Sequence, residues 1–161
     1  MTKRIVMSLP LHRQALEAGT PIRSVKTEDR DELAILLYAA YRGTIDDEGG
    51  TYADASQEID RLFAGAYGEF LPMCSFVIEE GESIASASLL TWWEVHQAPL
   101  IAFTMTRPEY RRRGYARLLI QTSMNALLDH GYDRLTLVVT DGNAPAQRLY
   151  QTLGFRTMTG L

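Results

Sequence analysis

Two short stretches carry residues whose types and spacing have chemical meaning. The first is TRPEYRRRGYA, residues 106–116, in which Arg111, Arg112 and Arg113 precede Gly114, Tyr115 and Ala116, with Arg117 just beyond. The apolar periodicity that begins there predicts a helix over 114–130, and the first turn of a helix presents backbone N–H groups that lack a partner. Gly114 lets the backbone approach a ligand closely, Ala116 keeps the turn clear, and the arginines add positive charge, so the turn suits a phosphate or pyrophosphate. It matches neither the GxGxxG dinucleotide fingerprint nor the Walker sequence ending in GK[ST]. Taken alone, RRRGYA also reads as exposed charge ahead of a helix.

The second stretch is NAPAQRLYQTLGF, residues 143–155, placed one helix and one strand after the first. The arginine-x-x-Gly-x-Ala turn and the Asn-x-x-Ala-x-x-Leu-Tyr-x-x-Leu-Gly-Phe helix, in that order, closely resemble the GNAT superfamily of N-acetyltransferases. The resemblance spans about residues 22–160, although in the N-terminal half it rests only on the order of elements. It implies a single α/β (α+β) domain over 1–161: an N-terminal extension, 1–20, then a core over 22–160. That core is a mixed central sheet with a splayed parallel strand pair and flanking helices. It also implies acetyl-CoA as cosubstrate, the backbone of Thr104, Met105 and Thr106 pairing with the pantetheine arm. By the same resemblance the turn from Arg112 to Arg117 is expected to hold the pyrophosphate, with Arg111 marking the motif. Asn143 is expected to bond the pantetheine or order the splay, and Tyr150 falls where the family places the proton donor to the leaving thiolate.

The residue types suit that chemistry. Attack of an amine on a thioester passes through an oxyanion, which a fixed backbone N–H such as that of Met105 or Thr106 would stabilise. The departing thiolate has a conjugate acid near pKa 8.5, and a tyrosine near 10 can protonate it at modest cost. Tyr150 is equally at home as an aromatic packed beside Leu149 and Leu153, and Asn143 as an N-cap. An ammonium acceptor, near 10.4, must also lose a proton before it attacks. Several family members carry a glutamate five residues before the motif asparagine. Here that position is Val138, which leaves Glu94, His96, Asp46, Asp47, Glu48 or a water chain as candidate bases. The acidic loop at 46–48, read alone, is a solvated surface; its place between the first two helices hints at a cationic acceptor, with Tyr41 and Tyr52 flanking it.

The elements that must position these residues follow from periodicity. RIVMSL, 4–9, reads as a strand and 11–18 as a short helix closed by Gly19. IRSVK reads as a strand, Thr27 as the cap of a helix over 28–42, and Asp54 as the cap of a second helix that ends at Gly65. CSFVIEE and SIASASLLTWW form an antiparallel hairpin, and LIAFTMT, 100–106, reads as a central strand. RLTLVVT, 134–140, is parallel to it across the 114–130 helix, and the helix over 143–153 stops at Gly154. The chain after Gly154 holds one further strand where two are usual in the family. Residues 4–9 would fill that sheet position, or a second subunit would, as a homodimer.

Composition bounds the function. A net charge of −4 argues against non-specific nucleic-acid binding. No apolar run reaches the length of a membrane span, the N-terminus does not read as a signal peptide, and the one cysteine, Cys74, sets no internal disulfide, so a cytoplasmic location is expected. Cys74 reads as a buried structural thiol, and His12, His96 and His130 lack ligand spacing, so no metal is expected. The expected activity is transfer of an acetyl group to a primary amine of a small amine, amino acid or peptide or protein terminus. The alternative is a non-catalytic CoA-binding or regulatory module.

Overall fold

The computed structural model describes residues 3–158, so the outermost positions of the expected 1–161 domain and 22–160 core lie outside the described residues. One sheet runs through the molecule. In chain order its strands are β1 (Arg4–Pro10), β2 (Ile22–Ser24), β3 (Phe76–Glu80), β4 (Ser83–Trp93), β5 (Ala98–Thr106), β6 (Arg134–Thr140) and β7 (Arg156–Thr157). They lie in the spatial order β2-β3-β4-β5-β6-β1-β7. Only β5 and β6 are parallel, as a crossover through a helix requires. Residues 4–10 fill the sheet position in question, pairing antiparallel with β6 from Arg4↔Thr140 to Pro10↔Arg134.

Helices cover both faces. On one side α1 (Arg30–Tyr41) and α2 (Tyr52–Phe63) bury Leu33, Leu36, Leu37, Ile59 and Leu62 against Ile84, Leu89 and Met105. On the other, α3 (Tyr115–Asp129) buries Ile120, Met124 and Leu127 against Leu90, Leu135, Leu137 and Met7, and α4 (Ala144–Leu153) adds Leu153. Each fully buried leucine or isoleucine contributes about 1.5–3 kcal/mol relative to exposure. A strand buried on both faces reads as a continuous apolar run, which is why RLTLVVT shows little alternation.

Three local expectations are corrected. No helix forms over 11–18: Leu11 is buried and its N–H reaches Asp133 O, while Gln14 and Asn125 exchange two hydrogen bonds. These tertiary bonds hold the segment extended along α3. Thr27 does not cap α1 but opens a 3₁₀ turn, and the buried Asp29 carboxylate accepts from the Lys26 N–H and from Arg23. Thr51, not Asp54, is the N-cap of α2. Its hydroxyl accepts from the Asp54 N–H at 3.2 Å, and the Asp54 carboxylate accepts from the Thr51 N–H at 2.8 Å, a reciprocal capping box.

Candidate active site

The parallel pairing of β5 with β6 is only two residues long. It joins Leu100 to Thr136 and Ile101 to Leu137, and then the strands part. Beyond that point β5 stays with β4 as far as Ser86↔Thr106, whereas β6 stays with β1 as far as Arg4↔Thr140. The divergence begins at a bulge: Leu89 faces Phe103 and Leu90 faces Ile101, so Ala102 is the extra residue. A bulge bends its strand and sharpens the twist, which swings the end of β5 away from β6.

The register after the bulge decides which backbone groups look into the gap. Arg107 N–H donates to Ala85 O at 2.8 Å, so two residues back along β5 Met105 also exchanges its bonds with Ala87. The alternate residues, Thr104 and Thr106, therefore turn their N–H and C=O groups toward the gap. Met105 is corrected on this point. Its backbone belongs to the β4 ladder, with its carbonyl also accepting from Ser86 Oγ at 2.9 Å, and its side chain is buried in the core. Of the two backbone N–H groups considered as oxyanion donors, that of Thr106 faces the gap and that of Met105 does not, and the N–H of Thr104 faces it as well.

From the gap a cavity of about 750 Å³ runs over Thr104, Met105 and Thr106 to the start of α3. Gly114 caps that helix at φ 77° and Arg112 sits at φ 67°, so two left-handed residues curl the turn and aim its N–H groups inward. No side chain caps α3, and a methyl group on Gly114 would meet nothing within 4 Å. The cradle is therefore open where an anion would sit. Arg111, Arg112, Tyr115, Ala116 and Arg117 line the cavity there, and the Arg111 guanidinium has a partner within the protein. It donates to Ala40 O at 2.7 Å, tying the turn to the end of α1. Arg113 lies over the Tyr110 ring at 5.0 Å, and Arg117 donates to Thr152 Oγ1 at 3.1 Å. Tyr115 hydrogen-bonds Glu80 through its hydroxyl. These residues fit a pyrophosphate on a helix start and a polar arm along an unpaired strand edge.

A second cavity, of about 620 Å³, lies on the α1 and α2 side and shares Tyr41, Asp46, Thr104, Asn143, Ala146 and Tyr150 with the first. Asn143 is the N-cap of α4, its side-chain oxygen accepting from Ala146 N–H at 3.4 Å. Two turns later Tyr150 packs its ring against Phe155 at 5.9 Å. Burial pushes the Tyr150 phenol up, the nearby Thr104 hydroxyl works against that, and the Asp46 carboxylate adds to it. Thr104 Oγ1 is itself buried and makes no well-formed hydrogen bond. Burial likewise drives Tyr41 well above the usual phenol range, with Tyr150 and Asp46 adding to it. Both phenols are protonated at neutral pH. Asp46 accepts a 2.6 Å hydrogen bond from Thr140 Oγ1.

The profile of the Acetyltransferase (GNAT) family matches residues 27–155. The chain belongs to this family. A GCN5-related N-acetyltransferase from Sphaerobacter thermophilus superposes with a TM-score of 0.71 at 18% identity, covering 98% of this chain and 49% of that one. The ribosomal-protein-S18-alanine N-acetyltransferase from Escherichia coli gives 0.65 at 22% identity, covering 88% and 80%. AAC(6')-Iy in complex with the bisubstrate analogue CoA-S-monomethyl-acetylneamine gives 0.64 at 14% identity, covering 89% and 95%. The chain spans 49% of the Sphaerobacter structure and 62% of a similar one from Novosphingobium aromaticivorans. No curated protein matches the chain. The GNAT fold is thus shared at the level of the family.

The GNAT fold sorts the candidate bases. Glu94 and His96 sit in the β4–β5 turn, about 20 Å along the strand from Thr104. Glu94 there accepts from Trp92 Nε1 at 2.9 Å and Gln97 Nε2 at 3.0 Å, and the His96 ring lies 4.2 Å from that of Trp93. Neither lines the cleft. Asp46, Asp47 and Glu48 do. Tyr52 does not line it either and meets Tyr38 edge to face, with ring centroids 6.3 Å apart. Burial raises the Cys74 thiol to about 11, which makes it an inert packing group. Among the described residues no group of three or more His, Cys, Asp or Glu is placed to hold a metal, and no helix is long and apolar enough to cross a membrane. Arg4, Tyr38, Glu58, Tyr67 and Thr140 also line the second cavity, and no sequence motif marks them. They come from separate elements.

Proposed function

We propose that this chain transfers the acetyl group of acetyl-CoA to the primary amine of a cationic acceptor, by direct attack, with Tyr150 as general acid. The observation that carries this reading is the meeting of two cavities at Thr104, Asn143 and Tyr150. The cavity with the α3 turn fits the nucleotide and pyrophosphate, and the unpaired backbone of Thr104 and Thr106 fits the pantetheine arm. The thioester then falls at the junction, where an N–H facing the gap stabilises the oxyanion. The Tyr150 phenol, held protonated by burial, supplies the proton to the departing sulfur.

The acceptor enters from the other side. That cavity is lined by Asp46, Asp47, Glu48, Asp54 and Glu58 against Arg4 and Arg42, with Tyr38 and Tyr67 on its walls. The surplus of carboxylates favours an ammonium, as in a small amine, an amino acid or a peptide or protein terminus. Calorimetry with acetyl-CoA and free-thiol release across a panel of such amines test the proposal. Absence of binding at millimolar acetyl-CoA would sink it, and binding without thiol release on any amine would leave only a CoA-binding module.

A further inference from the structure

The sheet that floors the acceptor cavity offers no base. Its lining residues are 100–104 of β5, 137–140 of β6 and Arg4 of β1, and none of them carries a carboxylate or an imidazole. An alkyl ammonium cannot attack until a proton is removed. Of the five surrounding carboxylates, three bond groups of the α1–α2 loop, of α2 or of the turn that follows it, and none of these three lines the cofactor-side cavity. Asp47 accepts from the N–H groups of Gly43 and Gly49, Asp54 closes the capping box of α2, and Glu58 holds the Tyr67 hydroxyl. Glu48 is exposed and lines the acceptor cavity alone.

Asp46 differs from all four, since it is the one carboxylate that lines both cavities. Its Oδ1 accepts from Thr140 Oγ1 at 2.6 Å, and among the described residues no group bonds its Oδ2. Thr140 ends β6, so the carboxylate is fixed at the mouth of the splay. The charged and titratable groups around it come from three other elements: Arg4 of β1, opposite Thr140 in register, Tyr41 of α1 and Tyr150 of α4. Ile45, the residue before it, reaches across to Gly142, so the loop is seated over the start of α4.

We infer that Asp46 is the proton acceptor for the attacking amine, a base delivered by the α1–α2 loop instead of by the sheet. The inference rests on the acetyl-transfer reading above. The free carboxylate oxygen takes one proton from the ammonium, and the nitrogen lone pair forms the bond to the acetyl carbonyl carbon. The carbon–sulfur bond breaks with its electron pair on sulfur, and the Tyr150 hydroxyl proton goes to that sulfur. The phenolate takes the second proton from nitrogen, and Asp46 passes the first to solvent, so one proton is released per acetyl group moved. Reference values for an ammonium and an aspartate lie about six pKa units apart, so the carboxylate relays the proton and does not store it.

Asp46→Asn tests this, because the amide oxygen can still accept from Thr140. With an alkylamine acceptor drawn from the panel, kcat/KM is expected to fall by about 10²–10⁴-fold. Acetyl-CoA affinity by calorimetry should change less than about threefold. The hydrazide analogue of the same acceptor is neutral at pH 7 and needs no base, so its rate should fall less than about tenfold. Glu94→Gln, at the far end of the hairpin, should retain wild-type turnover. Normal turnover in Asp46→Asn, equal losses on both acceptors, or a collapse of acetyl-CoA affinity would each overturn the inference while leaving acetyl transfer intact. Thiol release absent from the wild type on every amine would instead remove the acetyl-transfer reading itself.

Discussion

The two halves of the cleft are built by different means. On the proposed cofactor side the groups that would bind belong to the backbone: the N–H groups of the turn before α3 and the unpaired edge of β5 beyond its bulge. Its arginines mostly serve structure, as Arg111 on Ala40 O and Arg113 over Tyr110 illustrate. On the acceptor side the groups that matter are side chains drawn from β1, α1, the following loop, α2 and β6. A backbone site tolerates change in most side chains but not in the residues that set its conformation. A side-chain site reverses that dependence, so the two halves should fail differently under mutation.

The largest expected effect is at the junction. Tyr150→Phe should lower kcat by about 10²–10⁴-fold while acetyl-CoA affinity by calorimetry stays near wild type. A comparable loss of affinity would mean that the phenol belongs to the cofactor half. Next comes Gly114→Ala, where the new methyl group meets no protein atom but occupies the open cradle. Acetyl-CoA affinity should fall at least about tenfold. The left-handed strain should cost about 1–2 kcal/mol of stability in a denaturant titration. Unchanged affinity would break the claim that backbone groups carry the phosphate.

Smaller still is the response to pH. Tyr41 and Tyr150 are both raised by burial, whereas in the unfolded chain they ionise near pH 10. The unfolded state therefore loses its phenol protons first, and stability is full below about pH 10 and declines as pH rises above it, by up to about 1.4 kcal/mol per unit for each phenol. Denaturant titrations from pH 9 to 11 measure this. The decline should be weaker in Tyr150→Phe, and a flat profile would place the phenols in water. The smallest effect is expected for Arg113→Ala, whose side chain does not line the cofactor cavity: acetyl-CoA affinity should shift less than about threefold. A larger shift would return the cofactor half to side-chain control.

The same contrast explains what could be read before the fold was known. The turn at Gly114 and the helix from Asn143 to Leu153 are contiguous, so their spacing is visible along the chain. RLTLVVT has the same limits as β6 because burial on both faces leaves an uninterrupted apolar run. Which of Thr104, Met105 and Thr106 faces the gap is not legible along the chain, because the bulge at Ala102 depends on pairing with β4. The placement of Asp46 was equally hidden, since its partner Thr140 lies far along the chain. Residues 11–18 fail as a helix for a related reason, as Asn125 and Asp133 hold them through bonds to distant elements.

The position of β1 between β6 and β7 bears on the order in which the molecule can be assembled. During synthesis residues 4–10 leave the ribosome long before residues 134–140, the strand they pair with. Met7 and Leu9 must remain uncovered for that interval, although both are buried in the finished core. Pairing across so many residues is a slow kind of contact to close. The second cavity, which takes Arg4 from that strand and Tyr150 from α4, is therefore completed only after α4 has been made.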